Sequence, residues 1–495
     1  MRGVPKRRSK LRRTGPKSDR DRAMTSNIHE LCCSELASLL SSGEVRAIEI
    51  ANALIDEVRK LPDANAFVDF DAEAVRAEAE NSDRLRLSGG PVGPLHGVPI
   101  AFKDNINVKG YATTAGTAGL RHFRPRDDAP VTAKLRQAGA IVFGKNNMHE
   151  LAYGTTTNNA LFGAARNPFD PDRVCGGSSG GSACAVAHRM VPASIGTDTG
   201  GSVRIPASFC SLWGYRPSPG RWPTSGIVPI SSTRDTPGPI ARSARDLALL
   251  DSVVVGYEPA SEPRAIRGLR IGIPDAFFWD LADPKVERPC RDALDRLKAA
   301  GAVLLRIDAG RLLAHHAAST NVIAFYEGRA TLEQFLDAHD VGQTYETLAR
   351  AVAAQDVRSI LLDQLANEMP AVRKRYREAI DIHRPALQDE YRNLFAQNAL
   401  DVIAFPTALI TPPRIGEETS VVLNGVEQPL FPTTIHNTDV GSNAGLPGIT
   451  IPVGLSDDGL PVGLAFDAAA GADRLLLDIA LSLEPHFSAS RPGWL

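Results

Sequence analysis

No uninterrupted apolar run in this chain approaches the roughly 20 residues that a bilayer-crossing helix needs, so no membrane-spanning helix is expected. Cysteine is scarce: there are six, no C-x-x-C pair, and Cys32–Cys33 are adjacent, a poor geometry for one metal ion. The chain therefore reads as a carrier of free thiols in a reducing cytoplasm rather than a disulfide framework. H-E-x-x-H, the full P-loop G-x-x-x-x-G-K-[ST] and G-x-G-x-x-G are all missing, and His149-Glu150 and His315-His316 stand isolated. Neither a metal nor a cofactor is expected. There is no convincing internal repeat.

What is present fits a globular protein. Hydrophobic residues make up 43% and charged residues 23%, enough apolar material to bury a large core. Charge is unevenly spread. Residues 1–23 hold ten Lys/Arg against Asp19 and Asp21, leaving 45 basic and 55 acidic residues in the remainder. This tail lacks the apolar core of a secretory signal and reads as a solvated, disordered segment, with Met24 as an alternative start. The acidic body argues against a nucleic-acid partner.

Residues 24–495 read as one α/β domain. Residues 30–60, 71–87 and 130–138 carry helical spacing. VPIAF (98–102), AIVFG (140–144) and VPASIG (191–196) are short apolar runs suited to buried strands. LRIGIP, AVLLRID, DVIAFPT, GITIPVG and PVGLAFD extend the pattern, with helices near 286–299 and 472–484. SPGRWPTSGIVPISSTRDTPGPIA reads as proline-rich loop, and Lys145–Glu150 as a polar loop opening after its strand. Residues 315–395 are almost all helical and charged, a cover for a substrate pocket.

Two features stand out. VPIAF ends at Lys103-Asp104-Asn105, and a lysine closing a buried strand is unusual because a buried ammonium is costly. Two glycine-serine nests, Gly176–Ser182 and Gly200–Ser202, flank a small-residue helix and a strand. Such nests admit tight turns and bring backbone N–H groups close to an anionic oxygen. Gly176–Gly180 matches G-x-S-x-G, but that nucleophile elbow needs a preceding strand and a downstream histidine. NPFDPDRVC is a proline-bearing loop, His188 is too close, and His436 is a lone candidate. A serine nucleophile without histidine needs another base, and lysine serves when burial depresses its pKa.

GPLHGVPIAFKDNI, GGSSGGSACAVA and GTDTGGSVRIPASFCSLWGYRPSPGR resemble the amidase signature family in content and order. The resemblance covers roughly residues 90–245 in these blocks and extends to the C-terminus. It implies a large mixed, twisted β-sheet with helices on both faces and a Ser–Ser–Lys triad. Position by position, Ser202 matches the nucleophile, Ser178 the bridging serine after a cis peptide at Gly177–Ser178, and Lys103 the base. Backbone N–H groups of Thr199, Gly200, Gly201 and Ser202 match the oxyanion hole. Ser179, Asp198 and Arg204 match supporting positions.

The flanks RPSPGRWPTSGIVPISSTRDTPGPIARS and TTIHNTDVGSNAGLPGITIPVGL look like the indoleacetamide and mandelamide hydrolase branch, which cleaves primary arylacetamides. Ile435, Asn437 and Asn443, read as part of a C-terminal Asn/Gly/Pro loop, are candidates to border the acyl pocket. The expected partner is a small-molecule amide, with a homodimer left open. Two alternatives stand beside this: the amidase subunit of a glutamyl-tRNA amidotransferase, and a non-catalytic binding protein on the same fold.

Overall fold

The computed structural model describes residues 28–256, 263–274, 276–365 and 369–493, so the basic tail at 1–23 lies outside it. The apolar runs become strands of one eleven-stranded mixed sheet. In chain order these are β1 (Phe67–Asp69), β2 (Pro99–Lys103), β3 (Ile141–Asn146), β4 (Ala193–Asp198), β5 (Trp213–Arg216), β6 (Thr236–Ala241), β7 (Arg270–Pro274), β8 (Val303–Ile307), β9 (Val402–Pro406), β10 (Gly448–Leu455) and β11 (Pro461–Asp467). Across the sheet they run β1-β3-β2-β4-β6-β5-β10-β11-β9-β7-β8. β3, β2 and β4 are parallel neighbours, buried at every position. Burial on both faces is why they read as apolar runs instead of alternating patterns.

The helices are α1 (Cys33–Ser42), α2 (Ala47–Lys60), α3 (Ala72–Leu87), α4 (Pro130–Gln137), α5 (Gly180–Ala187), α6 (Arg204–Phe209), α7 (Ala244–Val255), α8 (Pro284–Ala299), α9 (Gly310–Ala338), α10 (Tyr345–Ala351), α11 (Gln355–Gln364), α12 (Pro370–Glu378), α13 (Arg384–Asn398), α14 (Leu430–Ala444) and α15 (Asp473–Leu483). No helix of the described residues is long and apolar enough to cross a membrane. All six cysteines are free thiols.

Three segments differ from the sequence reading. The proline-rich stretch contributes β6, with Pro237 and Pro239 inside it. β5 reaches only Ile240 and Ala241, so the proline half of β6 is laddered on the β4 side alone. Pro237 and Pro239 share one parity, which lets both missing donors face the side without a ladder. Second, β3 continues through Lys145 and Asn146 instead of giving way to a loop. The Lys145 ammonium lies 3.4 Å from the Asp104 carboxylate and donates to Ala112 O at 2.9 Å, replacing the hydration it lost. Third, the Asn/Gly-rich segment at 430–444 is the helix α14, with eleven of its fifteen residues buried. A helix buried nearly all round carries no amphipathic stripe to read.

From Gly310 to Asn398 the described residues are nearly all helical. Leu332, Phe335, Leu348 and Leu361 of this segment pack with Met148, Leu151, Tyr153 and Ile230 in a separate apolar cluster. The helical segment is also clasped to the core. Buried Glu150 accepts the N–H groups of Ala353 and Ala354, the latter at 2.8 Å, leading into α11. His149 Nε2 lies 3.7 Å from Asp356 Oδ2 at the same helix end. The isolated His-Glu pair of the sequence thus joins the core to the start of α11.

Candidate active site

Lys103 closes β2 with no exposed surface. Its Nζ donates to Ser178 Oγ and to Thr197 Oγ1, each at 2.7 Å. Burial drives its pKa from 10.5 to about 7, and the Asp198 and Asp235 carboxylates pull upward without offsetting it. An amine that is partly neutral at pH 7 can take up a proton. Ser178 is also fully buried, at the loop leading into α5, and the Gly177–Ser178 peptide is cis. Neither Thr197 nor Asn105, which donates to Thr197 Oγ1 at 3.2 Å, was singled out as a partner of the lysine in the sequence. The signal available was adjacency to the Asp198 and Lys103 motifs.

The second nest follows β4. Gly201 has φ +139°, and a Cβ there would meet Thr438 Oγ1 at 2.3 Å, so only glycine fits. Asp198 shapes this turn: Oδ1 accepts the Gly201 N–H at 2.8 Å and Oδ2 the Val203 N–H at 3.1 Å. Arg204 Nε and Nη2 reach the same carboxylate at 3.1 Å each, and Arg216 Nη1 reaches Oδ1 at 3.1 Å. Burial alone would raise the Asp198 pKa, but the two guanidiniums overcome it and hold the carboxyl well below its usual range. Ser179 N–H donates to Ser202 O at 3.2 Å, joining the nests, while its Oγ donates to Thr197 O at 3.2 Å.

Gly201 therefore departs from its expected place in the oxyanion hole, because its N–H is committed to Asp198. No protein acceptor takes the Thr199, Gly200 or Ser202 N–H among the described residues. Breaking a buried ion pair costs about 3–5 kcal/mol, so Asp198→Ala, which leaves Arg216 without its carboxylate and Arg204 with Asp467 alone, is expected to lose that much in urea unfolding. Asp198→Asn, retaining a neutral acceptor, should fall between Ala and wild type. A loss under about 1 kcal/mol for Asp198→Ala counts against this role.

Ser202 is partly exposed and lines a cavity of about 60 Å³ with Thr199, Gly200, Phe325, Phe431 and Ile435. A larger cavity of about 320 Å³ shares Ala152, Thr199 and Ile230 with it and extends to Asn105 and Thr197. Ile435 thus borders the cavity, whereas Asn437 and Asn443 do not. Phe431, Ile435 and Asp439 form an i, i+4, i+8 stripe of α14 facing the cavity. Asn437, on the opposite side, donates to Phe278 O at 2.9 Å and Pro406 O at 2.7 Å. Asn443, two turns past Ile435, donates to Ser319 Oγ at 2.8 Å. Reading a loop at 430–444 left no face on which to place them.

The histidines considered for an elbow are engaged elsewhere. His436 stacks on Phe277 with ring centres 3.7 Å apart, and buried His188 approaches Arg166 O at 3.4 Å. No group of metal-ligating side chains exists among the described residues. The cavity wall also holds the ion pair Arg234–Asp439, which no spacing announced because its members lie 205 residues apart.

Known proteins share this architecture. Residues 49–477 match the Amidase family. Mandelamide hydrolase of Pseudomonas putida is 38% identical over 476 residues, covering 93% of this chain and 92% of that protein. Indoleacetamide hydrolase of Rhizobium radiobacter is 38% identical over 445 residues, covering 90% and 94%. A crystal structure of an amidase superposes with TM-score 0.83 at 32% identity, over 92% of this chain and 100% of that one. With the family matched along most of its length, the chain belongs to the amidase signature family and is an amide-hydrolysing enzyme.

Proposed function

We propose that the chain hydrolyses primary amides of arylacetic acids to the carboxylic acid and ammonia, through an acyl-enzyme on Ser202. The observation that carries the substrate class is the wall beside Ser202. Phe325, Phe431, Ile435, Ile230 and Ala324 offer an aromatic and aliphatic surface next to the serine, suited to an aryl group. Similarity to enzymes named for mandelamide and indoleacetamide points the same way.

In this reading neutral Lys103 takes the Ser178 hydroxyl proton as Ser178 takes that of Ser202. Ser202 Oγ attacks the amide carbon, and its oxygen becomes an anion facing the N–H groups of Thr199, Gly200 and Ser202. Each such donor is worth about 3–4 kcal/mol in related sites. The lysine proton returns through Ser178 to the amide nitrogen, the C–N bond breaks, and ammonia leaves. Water then attacks the acyl ester by the same relay, releasing the acid and restoring Ser202.

Ammonia release over a panel of aryl, aliphatic and glutamine amides tests the reading. Indole-3-acetamide, mandelamide or phenylacetamide should exceed aliphatic amides and free glutamine by about 100-fold in kcat/KM, the scale set by burying one ring. Turnover confined to glutamine in the presence of tRNA and partner subunits overturns it in favour of an amidotransferase subunit.

A further inference from the structure

Most polar groups around the Ser202 cavity are already spent on one another. The Asp439 carboxylate accepts from Arg234 and from the Thr320 hydroxyl. Arg234 also donates to Thr320 Oγ1 at 2.8 Å and Thr320 O at 3.2 Å. Thr199 Oγ1 donates to Asp235 at 2.6 Å, and the Tyr153 hydroxyl accepts from Gln364 at 3.3 Å. The ring formed by Thr320, Arg234 and Asp439 ties α9 to α14 at the cavity and fixes which face of α9 it presents. That face carries Asn321, Ala324 and Phe325, an i, i+3, i+4 set.

Asn321 is solvent-exposed, and its carboxamide has no hydrogen-bond partner among the described residues. It offers two donors and an acceptor oxygen beside an otherwise apolar wall. Residues four apart on a helix sit roughly 5–6 Å apart at Cβ, so a ring packed on Phe325 brings its edge within reach of this amide. Thr155, like Ser202 a cavity side chain whose hydroxyl has no hydrogen-bond partner among the described residues, sits beside Gly154 on a different wall.

We infer that Asn321 is a specificity residue that hydrogen-bonds a polar edge of the aryl group, the N–H of an indole ring being the fitting chemistry. This rests on the arylacetamide reading. The carboxamide oxygen accepts the ring N–H, a contact that a carbocyclic ring of equal size cannot make.

Steady-state ammonia release from indole-3-acetamide, 1-naphthaleneacetamide and phenylacetamide tests it, using wild type, Asn321→Leu and Thr155→Val. Wild type should favour indole over naphthalene by about 10-fold in kcat/KM, the scale of one hydrogen bond whose loss leaves a group unpaired. Asn321→Leu should erase that preference, mainly through a higher KM for indole-3-acetamide, while the melting temperature stays near that of wild type and reports an intact fold. The assignment falls if wild type shows no preference, if Asn321→Leu keeps it, or if Thr155→Val removes it instead. If no arylacetamide is turned over while other amides are, the arylacetamide reading falls and takes this assignment with it.

Discussion

Ser202→Ala should lower kcat/KM for arylacetamides by about 10⁵–10⁶, the loss seen when a serine nucleophile is deleted from a triad. The substitution removes one oxygen from a partly exposed side chain at a cavity wall, so the melting temperature should stay near that of wild type. Mass spectrometry of acid-quenched reactions should find the acyl adduct on wild type and none on the variant. Lys103 and Ser178 have no exposed surface, whereas Ser202 opens on the cavity that can receive a carbonyl group. A preparation free of contaminating amidase that retains more than about a thousandth of the activity overturns the nucleophile assignment.

The second large effect concerns Lys103 and pH. Its folded pKa, about 7 against an ordinary 10.5, makes the neutral base abundant only above neutrality. For wild type, kcat/KM should fall about tenfold per pH unit below about pH 7 and level off above it. Lys103→Ala should cost about 10³-fold or more and flatten that limb. A wild-type profile that is level from pH 5 to 8 rules out a lysine base. The same shift acts on stability, with a definite sign. Between pH 7 and 10.5 the unfolded chain binds a proton at this lysine that the folded chain does not. Its contribution therefore strengthens folding as pH rises through that window and opposes folding below it.

How much of this was legible in the sequence varied with how local the cause is. The strand ending at Lys103, the helix after the first nest and the turn before Ser202 follow from short-range chemistry: apolar runs, small residues, glycine where Gly201 has no room for a Cβ. The helix α14 was not legible, because a helix buried on nearly every side resembles a loop when its residues are Asn, Gly, Thr and Ser. β6 was not legible either, since proline argues against a strand until one knows that its neighbour β5 stops short. Lys145 looked like the start of a loop because its carbonyl and carboxylate partners come from residues 104 to 113.

The sequence by itself determined which groups are available for the chemistry: a lysine at a strand end, two serine-bearing nests and an acid–arginine pair six residues apart. Their spacing is a property of the chain and survives without coordinates. Only the tertiary structure decided how they are used. Parallel pairing of β2 with β4 brings the strand ends together, so Lys103 meets Thr197 and, across the sheet end, Ser178. Burial there lowers the lysine pKa, Asp198 takes up the Gly201 N–H, and the docking of α9 on α14 selects which side chains line the Ser202 cavity. Each of these depends on distances between residues tens to hundreds of positions apart, and on the loss of water that packing imposes, neither of which a linear pattern encodes.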